Sequence, residues 1–304
     1  MKHTSKITTI LITMFLVTQL IGIFVFTSYS DGVDLPYGME PPEEIKEKPQ
    51  GFQIIAAFII AITLFFLLTR LNAETFIRIW YFTVTILALG LTSYVIFLKL
   101  GLTFYTEFLV LIIAIPLAYI KIFKRHIILH NFTELLIYPG IAAVFIPLLN
   151  IMWIIIILFL ISLYDIWAVW HTEFMQKMAK YQIEKLRFFT GFFVPYADKK
   201  ERLKIREIRQ KYEKKGDKVL EAQFKKARIK VNLAILGGGD VIFPIITAGV
   251  FYKFLGIIPA LIIAVSATLA LLFLFIMARK GKFYPAMPFI TIGMYLGMIV
   301  SWLV

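Results

Sequence analysis

The sequence predicts an all-α integral membrane protein of about nine transmembrane helices, with the N-terminus cytoplasmic and the C-terminus extracytoplasmic. Three observations predict it. Of 304 residues, 60% are hydrophobic and the mean hydropathy is +0.83, whereas a soluble domain is about 45–50% apolar. The apolar residues gather into runs near the length of about 20 residues that a helix needs to cross the hydrocarbon. The basic residues between those runs fall in alternate loops, as Lys and Arg do on the cytoplasmic side.

The first run, 7–26, follows the basic segment from Met1 to Lys6. At 20 residues it exceeds the apolar core of a signal peptide, about 7–15 residues, and reads as a retained helix. Further spans are expected at 52–69, 79–98, 102–120, 127–149, 151–170, 231–252, 254–278 and 284–304. The fifth and sixth adjoin with no charge from Leu135 to Tyr164. One helix over that stretch would be about 45 Å long, too long for a single crossing. Pro147 and Asn150 offer the break, so a tight hairpin is expected.

The hairpin also settles orientation. Lys2 and Lys6, Arg70 and Arg78, Lys121 to Arg125, the 171–230 block and Arg279 to Lys282 then all fall on one side. The first opposite loop, 29–50, is acidic, with six carboxylates against Lys46 and Lys48. The chain divides into 1–170 with six helices, 171–230 as a basic cytoplasmic loop, and 231–304 with three helices. The loop holds 18 Lys and Arg against 8 Asp and Glu, most of the net +13. That charge reads as topology beside anionic headgroups, and no motif points to nucleic acid. Residues 199–215 read as a charged amphipathic helix. With no cysteine, thiol nucleophiles, disulfides and thiolate metal sites are excluded.

Ionisable groups at bilayer depth are costly and mark function. The acids within the spans are Glu107, Glu134, Asp165 and Asp240. Glu107 reaches an interface and Glu134 lies near a span end. Asp240, ten residues past Lys230, would sit roughly 15 Å deep at helical rise. Asp165, six residues before His171, would sit roughly 9–12 Å deep from the same side. On consecutive antiparallel helices the two can face each other, with no Lys or Arg at that depth to neutralise them. Two close carboxyls in a low dielectric cannot both ionise, so the pair holds one proton. The ionised member can deprotonate water while the protonated one donates to a peptide carbonyl, the arrangement of an aspartic protease. Which of them starts as base stays open, and the chemistry calls for neither cofactor nor metal.

Gly237, Gly238 and Gly239 precede Asp240, and Pro285-Ala286-Met287-Pro288 opens the last span. Taken with Tyr164-Asp165, these segments resemble the YD, GxGD and PAL motifs of the presenilin and signal peptide peptidase family, in order and on matching helices over about the whole chain. The resemblance implies an intramembrane aspartyl protease with Asp165 and Asp240 as catalytic pair. It implies that Tyr164, Gly237, Gly238 and Gly239 shape the site and that Pro285, Ala286 and Met287 line it near the substrate. Two positions depart from the pattern. Met287 stands for leucine, at similar volume. Gly238 stands where relatives carry a bulky apolar residue, which alters the pocket wall. The N-inside topology looks like presenilin, and the compact loops suggest an archaeal member acting in the cell membrane on transmembrane-helix protein substrates, without obligate partner subunits and with self-association left open. An unwound substrate strand is expected to pair with backbone around Pro285–Met287.

Two rival readings exist. His126, His130 and Glu134 share four-residue spacing and one helix face, a candidate metal site, but no H-E-x-x-H accompanies them. A proton- or cation-coupled transporter or channel using the same aspartates is the alternative function. No inverted repeat supports it.

Overall fold

The computed structural model describes residues 5–39, 73–124, 126–171, 189–197, 199–212, 232–278 and 284–303, with single or paired positions in 56–70 and at 181, 223–224 and 227. Its helices are α1 (Ser5–Ser30), α2 (Glu74–Lys99), α3 (Thr106–Tyr119, continued by a π turn over Ile120–Lys124), α4 (Ile127–Phe145), α5 (Ile151–Trp170), α6 (Lys199–Tyr212), α7 (Gly238–Leu255), α8 (Ile257–Met277) and α9 (Met287–Ser301). Among the described residues seven of these are long and apolar enough to cross a membrane, and α9 is shorter at 15 residues. Of the expected span 52–69, the described positions, Ala56, Ile59, Ile60, Thr63, Leu64, Leu67 and Leu68, are helical.

The hairpin between 127–149 and 151–170 is present. Helix α4 ends at Phe145, a 3-10 turn covers Ile146–Leu148, and the Asn150 side chain caps α5 by accepting from Trp153 N at 2.9 Å. Helices α1 and α7 lie at the centre: α1 packs on α4, α7 and α8, and α7 on α1, α4 and α8, while α5 is held chiefly by α9. The main core runs through α1, α4, α5, α7, α8 and α9. A smaller cluster of Ala88, Leu89, Ala114, Ala118 and Ile137 joins α2 and α3 to α4.

Lipid offers no hydrophobic drive between helices, so close backbone approach and polar contacts hold the bundle. A Cβ at Gly293 would meet Ser266 O at 2.9 Å, and one at Gly297 would meet Ser266 Oγ at 2.6 Å, so α8 and α9 touch at their small residues. At Gly140 a Cβ would collide with the Ala88 backbone carbonyl of α2. Gly140→Ala must therefore part α2 from α4, and a loss of about 1–3 kcal/mol is expected, read by thermal unfolding in detergent.

Prolines inside α4 and α7 are managed the same way. Proline lacks an N–H and disturbs the carbonyls of the preceding turn, which are costly to leave free in lipid. Before Pro139, the Leu136 carbonyl accepts from Thr92 Oγ1 of α2 at 2.7 Å. Before Pro244, the Val241 carbonyl accepts from Gln19 Nε2 of α1 at 3.0 Å.

The structure differs from the sequence reading at 231–252. Residues Asn232–Gly237 are a strand, β2, antiparallel to β1 (Gly191–Tyr196) within the basic 171–230 segment, and helix begins only at Gly238. An apolar run of six residues cannot be assigned to helix or strand by periodicity alone, and here it was read as helix. Phe192, Val194, Ala234 and Leu236 turn one face of this hairpin into the main core, so part of the basic segment is built into the bundle. The described turns of the expected amphipathic helix form α6.

Candidate active site at the ends of α5, α7 and α9

Asp240 occupies the third position of α7, with Gly237 as the N-cap. Its Oδ2 would lie 3.2 Å from a Cβ at Gly237, and the carboxyl reaches back to the Gly237 backbone. A third-position acid bonding to the cap backbone is half of a capping box, and it fixes the rotamer of Asp240. The depth expected from helical rise therefore does not apply, because β2, not a helical turn, leads into Asp240 at about 3.3 Å per residue.

Asp165 lies in the last two turns of α5, buried at 5% exposure, while Asp240 is half-buried. Asp165 Oδ2 accepts from Met287 N at 3.0 Å. Ala286 is the N-cap of α9 and Pro288 sits in its first turn. The first N–H groups of a helix have no partner within it, and a carboxylate is the natural acceptor there. The proline-rich segment thus offers backbone donors to Asp165. Two further bonds bind α9 along α5: Ser162 Oγ donates to Thr291 Oγ1 at 2.8 Å, and Tyr295 Oη donates to Ile155 O at 2.8 Å. Helix α5 adjoins α7, the helix that carries Asp240.

Of the residues singled out from sequence, Asp165, Asp240, Gly237 and Met287 meet at this place, with Ala286 one residue away. Pro285 is buried just before α9, and Gly239 is exposed. Tyr164 is also exposed, its ring centroid 6.4 Å from that of Trp167. Gly238 is explained by a neighbour. A Cβ there would lie 2.7 Å from Tyr138 Oη of α4, whose ring meets Phe192 edge-on at 5.8 Å. The space that a bulky residue would take is filled from α4. Gly238→Leu is expected to cost about 1–3 kcal/mol. Combined with Tyr138→Ala, the loss in thermal stability should be clearly smaller than the sum of the two single losses.

The hairpin sets the other wall. Phe193 N and O both bond to the Asn131 side chain, at 2.9 and 2.7 Å, so residues 191, 193 and 195 turn their backbone groups away from β2. Pro195 falls at such a position, where its missing N–H removes nothing from the pair. By alternation, Leu233, Ile235 and Gly237 turn theirs away from β1. Among the described residues no strand pairs with that outer edge of β2, and Leu233 and Ile235 are exposed at 44% and 40%. The strand edge next to Asp240 is therefore on β2, and the Met287 N–H donates to Asp165.

Sequence reasoning missed Lys121. It bonds to Glu134 Oε1 at 2.5 Å, both side chains being wholly buried, and lies 3.3 Å from His130 Nδ1. The signal was an acid inside a span with a lysine thirteen residues earlier, near the same end. Of the trio weighed as a metal site, His130 and Glu134 turn to Lys121 and Gly191, while His126 caps α4 by accepting from Leu129 N at 3.3 Å.

The sequence profile of the family described as "Signal-peptide peptidase, presenilin aspartyl protease" matches residues 12–304. No curated protein matches the sequence. Two crystal forms of a presenilin family intramembrane aspartate protease are similar in fold. The C222 form has a TM-score of 0.62 at 18% identity, covering 97% of this chain and 98% of that one. The P2 form has a TM-score of 0.60 at 19% identity, covering 96% of each.

Proposed function

The chain belongs to the signal-peptide peptidase and presenilin aspartyl protease family, and from that premise we propose that Asp165 and Asp240 are its catalytic pair and that substrate is cut beside β2. The protein is a multi-pass membrane aspartic endopeptidase that acts on transmembrane substrates within the bilayer. One observation carries the assignment of the pair: the Met287 N–H holds Asp165 at the end of α5, the helix that packs beside α7, at whose start Asp240 sits.

The chemistry follows from two acids sharing one proton. The ionised carboxylate takes a proton from water as the water oxygen bonds to the scissile carbonyl carbon, and the protonated carboxyl donates to the carbonyl oxygen. The tetrahedral species collapses as the C–N bond breaks and the amine leaves with a proton from the pair. Every atom comes from water, substrate and the two side chains, so no cofactor enters. Helical peptide bonds are shielded by their own hydrogen bonds, and the substrate helix must unwind before attack. The outer edge of β2 offers the unwound segment new partners through Leu233 and Ile235, a strand addition that leads to Asp240. Ala286 and Met287 act on the reaction by holding Asp165 through their backbone.

The basic ends of the helices support a cytoplasmic N-terminus and an extracytoplasmic C-terminus, with water arriving from the cytoplasmic side. We read the protein as residing in the cell membrane and working without obligate partner subunits. The test is a purified single-span reporter in liposomes, with products identified by mass. Wild type should release two fragments cut within the span, and Asp165→Asn and Asp240→Asn should release none. Normal cleavage by either variant overturns the assignment.

A further inference from the structure

We propose that Lys121, His130, Asn131 and Glu134 form an anchor that holds the β1–β2 hairpin in register, and so act as positioning residues for proteolysis. The inference rests on the reading that substrate adds to β2. The group lies apart from the aspartate pair, on the π turn after α3 and the first two turns of α4. Its bonds close into a ring. His130 Nε2 faces Gly191 O at 2.8 Å, which makes it the N–H donor and leaves Nδ1 to accept from Lys121 Nζ. Lys121 also donates to Glu134 Oε1, which accepts from Gly191 N at 3.4 Å as well. Asn131 then grips Phe193 through both of its amide atoms. Outward-facing backbone groups of β1 are thus met by side chains of α4, as a third strand would meet them.

Burying a lysine and a glutamate together is expensive, and a hydrophobic pair would hold helices as well. What the group adds is direction: His130, Asn131 and Glu134 each end on backbone atoms of one strand residue, and Lys121 ties two of them together. Position 191 requires glycine for the strand pair itself, because its φ of 144° lies where side chains are strained and a Cβ would collide with the Leu236 backbone carbonyl of β2. A side chain pairs with its partner strand residue by residue, so a slip of one residue would carry Phe192 and Val194 to the opposite face. The bonds from α4 forbid that slip. Since Phe192 pairs with Leu236 and Gly191 with Gly237, fixing β1 fixes where β2 delivers a paired strand relative to Asp240.

The experiment uses the full chain in liposomes with the single-span reporter, and compares wild type, Asn131→Ala, Glu134→Gln and Lys121→Met/Glu134→Gln. The paired variant leaves no unmatched buried charge, which guards against simple unfolding. Asp240→Asn is run alongside. Three quantities are read: site-resolved hydrogen exchange at Phe193, kcat/KM, and the distribution of cut bonds by mass. In Asn131→Ala the Phe193 amide should exchange at least about tenfold faster, kcat/KM should fall about tenfold, and cutting should spread to neighbouring bonds. Unchanged exchange overturns the anchor. Faster exchange with wild-type cut positions overturns its positioning role, whatever the rate, and leaves the aspartate pair standing. Full activity in Asp240→Asn instead removes the reading of the pair, while the exchange arm still decides the anchor.

Discussion

Asparagine at position 240 is expected to lower kcat for the reporter by at least about 10³-fold, with little change in KM. Asparagine is close in size to aspartate and keeps an oxygen for the Gly237 backbone, so the start of α7 should survive. What it cannot do is exchange a proton with Asp165 or with water. A positioned acid or base contributes about 10²–10⁴-fold on its own, and members of one catalytic unit fail together, not additively. The double variant Asp165→Asn/Asp240→Asn should therefore be hardly slower than either single one. Single-turnover rates on the reporter check this, and a double variant slower by the product of the two effects would mean independent roles. Asp165→Asn carries a second signature, since its amide has one acceptor in place of two and must still satisfy Met287 N.

Ile235→Pro is the next largest expected effect, a fall in kcat/KM of about 10²-fold from a residue that does no chemistry. Proline deletes one N–H. At 235 that N–H faces away from β1, so the pairing of Phe192, Val194 and Tyr196 with β2 is kept. Proline is tolerated on an edge strand for this reason, as Pro195 already is on β1. Ala234→Pro removes an N–H directed at Val194 and should instead break the hairpin and lower thermal stability. The contrast is the measurement: the first variant stable and slow, the second unstable. Equal stability losses in both would show that Ile235 serves the fold and not the substrate.

Much of this architecture was legible in the chain because membrane helices obey few rules. The run lengths, Pro147 with Asn150 and the alternation of basic loops located most helices. The two aspartates stood out because an acid in lipid needs a reason. Their surroundings were less legible. Asn232 to Gly237 is too short and too apolar to show a period, so the strand, its partner within the basic segment and the early helix start at Gly238 all escaped. The Gly238 departure looked like an altered pocket until Tyr138, a hundred residues away, was seen to fill it. Lys121 was read as a loop charge because only the π turn carries it inward to Glu134.

One edge of the hairpin is sealed by α4 and by Pro195, and among the described residues no strand covers the other. A guest strand can therefore join this sheet from one side only. On the proposed reading, turnover is counted one chain at a time, and a severed fragment that lingers on β2 occupies the seat its successor requires. The cut piece must leave before the next can dock, and any short extended peptide of matching shape competes for that seat.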